Sequence, residues 1–407
     1  MTKKEQAKII LILGALSTIS PFAIDMYLPG FPVIAKDLNT TIAHVQLSLT
    51  SYFIGIAAGQ LLYGPLLDRF GRKKPLFIGL AVYVLASIGC AFTSTADALI
   101  AMRFIQALGG CVGMVAAQTF VRDLFPIERS AQAFSWMTLV VAVSPMIAPT
   151  VGGYLMSFAG WQSVFIALAV VTVLILWLAY KVLPDGRPAN KELSLRPQAV
   201  LSSFYEVAKH PRFVMYCLGG GLIAAAPFAY IAGSADVFMN LHHLSEKEYG
   251  WVFALIGGVI IGSTQMNHLL LRHFSSEQII RVTIIYQIVV GAVLISGALM
   301  SWLNVTALIA LIALFLAAHG ITNTNATALS LAPFSRNTGS AASLLGSFRM
   351  AMGGVTSALV SAFHNGTAIP MILVMVGTVV AGFLIMQAGK TLMNQRHADE
   401  GTIPALR

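Results

Sequence analysis

The chain is a succession of apolar stretches, each about as long as a bilayer is thick, separated by short polar breaks. A helix rises 1.5 Å per residue, so about 20 apolar residues cross a hydrocarbon core of roughly 30 Å. In lipid every backbone N–H and C=O must be paired, and a helix does this within the segment. Stretches of spanning length fall near 9–31, 44–67, 75–93, 97–121, 132–156 and 161–183. A second set falls near 213–236, 249–271, 279–300, 304–328, 341–364 and 368–390. The expectation is an all-α membrane protein with twelve transmembrane helices in two six-helix bundles. These are an N-terminal bundle over 1–183, a polar loop over 184–212, and a C-terminal bundle over 213–407.

Composition agrees. Charged residues are 10% of the chain, against about 25% in soluble domains. The net charge of +9 would raise nucleic acid as a partner for a soluble chain. Here it speaks to orientation, because Lys and Arg collect on the cytoplasmic side. All but four of the 25 Lys and Arg fall in the N-terminus, the C-terminus or the loops after even-numbered spans. Of those four, Lys36 and Lys247 lie in the opposite loops, and Arg103 and Arg349 lie inside spans. Both termini are therefore expected in the cytoplasm. Lys3, Lys4 and Lys8 before an apolar run resemble a signal peptide, but the run is too long and no small-residue cleavage pattern follows. The expectation is an uncleaved first span. Cys90, Cys111 and Cys217 all lie in apolar runs and read as packed free thiols.

Three motifs carry more than topology. "GPLLDRFGRKKPL" joins spans 2 and 3. Gly64 and Gly71 permit a tight turn and close helix approach, and Asp68 can cap a helix end or pair with an arginine. Arg69, Arg72 and Lys73 complete a spacing that positive charge alone does not require. Span 4 opens on Arg103-x-x-Gln106, and an arginine within a span costs about 2.5–3.5 kcal/mol or more. It must face the bundle interior, with the outer interface as its alternative. Span 5 reads "SPMIAPTVGGYL", in which Pro149, Gly152 and Gly153 bend a helix and let a neighbour come close.

These stretches resemble the loop signature, the span 4 motif and the antiporter motif of the major facilitator superfamily. "DMYLPGFP", "VRDLFP" and "GSAASLLGSFR" narrow the likeness to its Bcr/CflA family of drug–proton antiporters. The resemblance covers nearly the whole chain. It implies the major facilitator fold, alternating access and export of small molecules against protons. It also implies a cell-inner-membrane location, the proton gradient in place of a cofactor, and action as a monomer in the bilayer. An exporter of an endogenous anionic metabolite, such as a carboxylate siderophore or an amino acid, is the close competitor. An uptake symporter is opposed by the span 5 motif. No nucleotide-binding loop, soluble domain or metal-ligand cluster points to an enzyme.

Asp25 is the only charged group between Lys8 and Lys36. By helical rise it lies about 9 Å below the outer surface, as does Arg103. In the family fold spans 1 and 4 line one cavity, so the two are expected to be partners. An acid whose proton occupancy follows its surroundings is what coupling to a gradient needs. The alternative is that Asp25 caps a helix broken at Pro29. Asp123, beside Arg122, is a second proton-coupling candidate, or an interfacial partner of Arg122, Arg129 or the span 2–3 loop. Asp236 and the pair His242-His243 are expected to be solvated. Tyr27, Tyr52, Gln106, Met146, Phe228 and Tyr230 are the substrate-cavity candidates. In the other half His319, Asn323 and Arg349 lie at similar depth and could bind a carboxylate or phosphate. Arg349 could instead pair with helix-end carbonyls or join the cytoplasmic latch.

Overall fold

The computed structural model describes residues 3–186, 188–189, 197–334 and 338–399. Residues 190–196 of the central loop lie outside them. The described chain contains α1 (Lys3–Asp25), α2 (Phe31–Asp37), α3 (Ile42–Phe70), α4 (Lys73–Ala91), α5 (Ala96–Leu124), α6 (Ile127–Ala159) and α7 (Gln162–Val182). Then follow α8 (Pro197–Ala208), α9 (Pro211–Ile223), α10 (Ala226–Ala235), α11 (Glu246–Leu270), α12 (Ser276–Leu299), α13 (Val305–Leu331), α14 (Thr338–Ala362) and α15 (Ile369–Asp399). We call the face on which α1 begins the basic face. It also carries the 64–76 loop and the end of α15. The opposite face is the far face.

Eleven of the described helical stretches are long and apolar enough to cross a membrane. The remaining expected span is α14. It falls short in apolarity because it carries Arg349 and many Ser, Thr and Gly residues, which pack it along α3 instead of facing lipid. Side chains that face outward elsewhere are large and apolar, among them Ile78, Leu85, Phe92, Phe158 and Trp177. Such a surface is stable only against hydrocarbon. Local sequence sets the helix starts. Thr41, Thr95, Ser245, Ser275 and Asn304 each accept a backbone N–H at an N-cap, with capping boxes at Ser245/Glu248 and Ser275/Gln278.

The helices sort by contact into two groups. α3, α4 and α5 pack together, with α1 against α5, α6 and α7. In the other group α9 packs on α13 and α15, and α12 on α13 and α15. The groups meet along two seams, α3 with α14 and α6 with α11. The three cysteines are buried as free thiols.

The first span of each group is interrupted. α1 stops at Asp25, a short 3₁₀ turn covers Leu28–Gly30, and α2 resumes. α9 stops at Ile223 and α10 resumes at Ala226, just before Pro227, and ends in a π-turn over Asp236–Leu241. Interrupted helices at matching positions of two halves are where transporters place their binding sites, because the break frees backbone groups at membrane depth.

Candidate functional site

The break in α1 decides where Arg103 goes. Met26 N–H still reaches the Phe22 carbonyl, but the helix ends before a backbone N–H pairs with Ala23. Arg103 Nη2 donates to that carbonyl at 2.9 Å, and Nη1 donates to Gln106 Oε1 at 2.6 Å. Gln106 Nε2 in turn donates to Ser87 Oγ at 2.7 Å. The guanidinium lies over the rings of Tyr27 and Tyr52, at 4.3 and 4.0 Å from their centroids. A desolvated cation–π contact stabilises by about 2 kcal/mol. A cation at a helix C-terminus also meets the negative end of its dipole. Together these offset the cost of a fully buried arginine.

This corrects four expectations. Arg103 does not pair with Asp25; it caps the backbone two residues earlier. Gln106, Tyr27 and Tyr52 do not line the cavity, because they form the cage around Arg103. The Tyr27 hydroxyl is engaged with Ser48 Oγ at 2.9 Å.

Asp25 ends α1 and borders a cavity of about 550 Å³ between the two groups of helices. With it stand Pro227 and Tyr230 from the second break region, Phe253, Ile256 and Ile260 of α11, and His319 of α13. Phe134, Leu139 and His268 carry the cavity toward the basic-face ends of α6 and α11. Tyr230 stacks on Phe253 at 5.5 Å, and its hydroxyl has no hydrogen-bond partner. Among the described residues no basic group forms an ion pair with Asp25. Of the other aromatic and Met candidates, Met146 lies against Gly257 and Gly258 beside the cavity. Phe228 packs on Phe53 at 4.7 Å in the contact between the halves.

Arg349 occupies the C-terminal half near the basic face. Its Nη2 donates to Thr327 Oγ1 at 2.8 Å, and its Nε has no partner among the described residues. His319 Nδ1 and Asn323 Oδ1 are likewise buried without partners.

At the basic face Arg72 joins three elements. It is bonded to Asp68 of α3, and its Nε donates to Asp123 Oδ2 of α5 at 2.7 Å. Burial works against its charge, but the bonds to Asp123 and Asp68 more than offset that and hold the guanidinium above its ordinary value. Lys73 pairs with Asp185 at 2.8 Å. Asp123 therefore belongs to this network and not to the cavity. Arg349 is not a member of it. Gly71 turns the chain at φ 81°, a left-handed conformation that favours glycine. Arg69 lies half-buried at the end of α3, and Arg122 is exposed. Gly64 brings α3 to within 3.5 Å of Ser343 Oγ on α14, measured from where a Cβ would sit.

The residues that build these places match the family profile "Major Facilitator Superfamily" over 13–358. The chain belongs to the major facilitator superfamily. It is 31% identical over 385 residues to the MFS-type transporter YdgK of Bacillus subtilis (strain 168), covering 94% of this chain and 95% of that one. It is 30% identical over 383 residues to a bicyclomycin resistance protein homolog of Haemophilus influenzae, covering 92% and 94%. Its fold is similar to a bacterial homolog of the human lysosomal transporter Spinster, solved inward-facing and occupied. The TM-score there is 0.74 at 15% identity, over 97% and 98% of the two chains.

Within this superfamily chain the span 5 motif faces two ways. Gly152 lies so close to the Met26 carbonyl that a Cβ would collide with it. Gly153 faces Glu246 of α11, in the other group. Pro149 is buried between them and the cavity wall at Pro145. One turn of α6 thus touches both the break that ends in Asp25 and the partner half. The sequence reading missed two further features. Asp236 is buried, accepting from Asn240 at 2.8 Å and sitting 2.7 Å from His364 Nε2, where solvation was expected. The second helix break was also missed, although Gly219–Gly220–Gly221 and Pro227 inside one apolar run were available signals. His243 is exposed in the far-face loop, whereas His242 is partly buried, and that burial and the neighbouring His243 lower its pKa.

Proposed function

We propose that the chain is a proton-coupled antiporter that exports small molecules by alternating access. It works in a bacterial inner membrane, as a monomer, with the basic face and both termini in the cytoplasm. The observation that carries this is Asp25, an acid with no ion-pair partner among the described residues, in the wall of a cavity between two halves. A carboxylate placed there changes its proton occupancy with what stands beside it. The enclosing side chains are mostly apolar and aromatic, with few polar groups, which suits varied lipophilic solutes. The cavity extends toward the basic face. Thr150 against Gly250, and Gly153 against Glu246, hold the halves together nearer the far face. That arrangement loads from the cytoplasm. The name of the Haemophilus influenzae relative supports drug export, and the 149–153 motif favours exchange over uptake.

The test is transport in proteoliposomes under an imposed pH gradient, with bicyclomycin, chloramphenicol and a cationic dye offered as substrates. Substrate should move opposite to the proton flow, and collapsing the gradient should stop it. Flux in the same direction as protons would replace this reading with uptake. Flux indifferent to the gradient would remove proton coupling.

A further inference from the structure

Arg349 presents a charge that its surroundings do not answer. Among the described residues its guanidinium is hydrogen-bonded to Thr327, and no acid forms an ion pair with it. Arg349 is partly buried with its Nε enclosed, and an enclosed cation is normally paired, because an isolated one has lost its water without compensation. Two groups along α13 are also unfinished among the described residues, His319 at Nδ1 and Asn323 at Oδ1. His319, Asn323 and Thr327 stand at i, i+4 and i+8, which makes one stripe on that helix. His319 heads the stripe in the cavity wall, and Thr327 ends it at the guanidinium.

We propose that Arg349, with Asn323 and Thr327 beside it and His319 at the mouth on the cavity, is a binding pocket for the carboxylate or phosphate group of a transported solute. The idea that the solute is transported rests on the export reading; the pocket itself does not. Thr327 donates its own hydroxyl hydrogen to the Asn323 carbonyl at 2.6 Å. Its lone pair is thereby turned to Arg349 and holds one end of the guanidinium. Nε–H and the remaining Nη hydrogens are left to present a fork, and a planar fork matches the two oxygens of a carboxylate or phosphate. Asn323 Oδ1 is buried without a partner. An amide turned over about its last bond puts NH₂ in that place, and such a group donates to an anion. The pocket is closed by α9 and α14. A Cβ at Gly221 would press on the Phe348 ring, so α9 approaches α14 closely beside Arg349. Thr327 is a positioning residue; Arg349 is the group that touches the anion.

The experiment uses the full chain purified in detergent and three probes of nearly one shape: benzoate, phenylphosphonate and neutral benzamide. Wild type should bind at least one of the two anions tenfold or more tightly than benzamide. Which of the two it prefers separates carboxylate from phosphate-type recognition. Arg349→Gln should bring the anion-to-benzamide ratio to within twofold of one. Thr327→Val should lower the ratio several-fold without removing it, because the charge stays and only its orientation is lost. Arg349→Lys keeps a charge without the fork and should fall between. Should Arg349→Gln fail to fold, the Thr327→Val and Arg349→Lys ratios decide. The proposal is overturned if wild type shows no preference for either anion, or if the ratio is unchanged in the variants. Gradient-driven export by wild type is scored separately. Its failure with the anion preference intact would remove the export reading and leave the pocket.

Discussion

Asp25 owes its setting to a helix that ends with it. Pro29 and Gly30 follow, and the chain turns through a 3₁₀ segment before α2. The carbonyl left open by that ending is held by Arg103, two residues before the acid. Asp25→Asn keeps the shape of the side chain and cannot change charge. It should abolish substrate accumulation driven by a pH gradient, while the dissociation constant of a neutral ligand stays within a few-fold of wild type. Accumulation with an ordinary pH dependence in that variant would remove Asp25 from the mechanism. Arg103→Lys retains a charge but cannot reach Ala23 and Gln106 together. The lost charged hydrogen bond should cost about 1.5–3 kcal/mol of stability, read as a lowered Tm of the purified protein. Gly152→Ala places a methyl group against the Met26 carbonyl. Overpacking of this kind costs about 1–3 kcal/mol, whereas Gly153→Ala meets nothing closer than 3.4 Å and should be mild by the same melting measurement.

At the scale of elements, the Arg72 network ties the end of α3, the start of α4 and the end of α5 into one unit. Asp123→Asn leaves a buried guanidinium with weaker partners. It should slow transport several-fold in proteoliposomes, with equilibrium affinity for substrate nearly unchanged. A loss of affinity with normal turnover would contradict this. Most of the elements were legible in the sequence, because long apolar runs between polar breaks admit little but membrane helices. The helix starts at Ser245 and Ser275 carry a capping signal that the sequence reading did not use, Glu or Gln three positions on. The loop motif was legible in kind: acid, arginine and glycine at that spacing. Its partner at Asp123 was one of several options, since sequence does not say which helix end lies beside which loop. The breaks were harder. Pro29 was visible, yet a proline can kink a helix or end it, and the choice depends on what receives the freed carbonyl. The substrate residues were least legible. Tyr27, Tyr52 and Gln106 have the right depth, but depth gives no azimuth, and they point to Arg103 instead of the cavity.

At the scale of the molecule, the two groups of helices meet along α3 with α14 and along α6 with α11. The α3–α14 seam is bonded at Ser361 Oγ to the Ala43 carbonyl and at Thr50 Oγ1 to Ser357 Oγ, 2.9 Å apart in the second case. Alternating access requires the α6–α11 contacts near the far face to part. The double variant Thr150→Cys with Gly250→Cys sets two thiols where these helices touch. Oxidation should then stop transport, and a reductant should restore it, while binding from the basic face persists. Unimpaired transport with the crosslink formed would mean that this seam does not open. The three native cysteines add a practical consequence. All are buried, so the unaltered chain should be almost silent to a membrane-impermeant maleimide. A single new cysteine at exposed Lys36 or Lys74 would then give a clean label from one side of intact cells and not the other. Labelling of position 36 from outside, and of position 74 only after the membrane is breached, would fix which face looks into the cytoplasm.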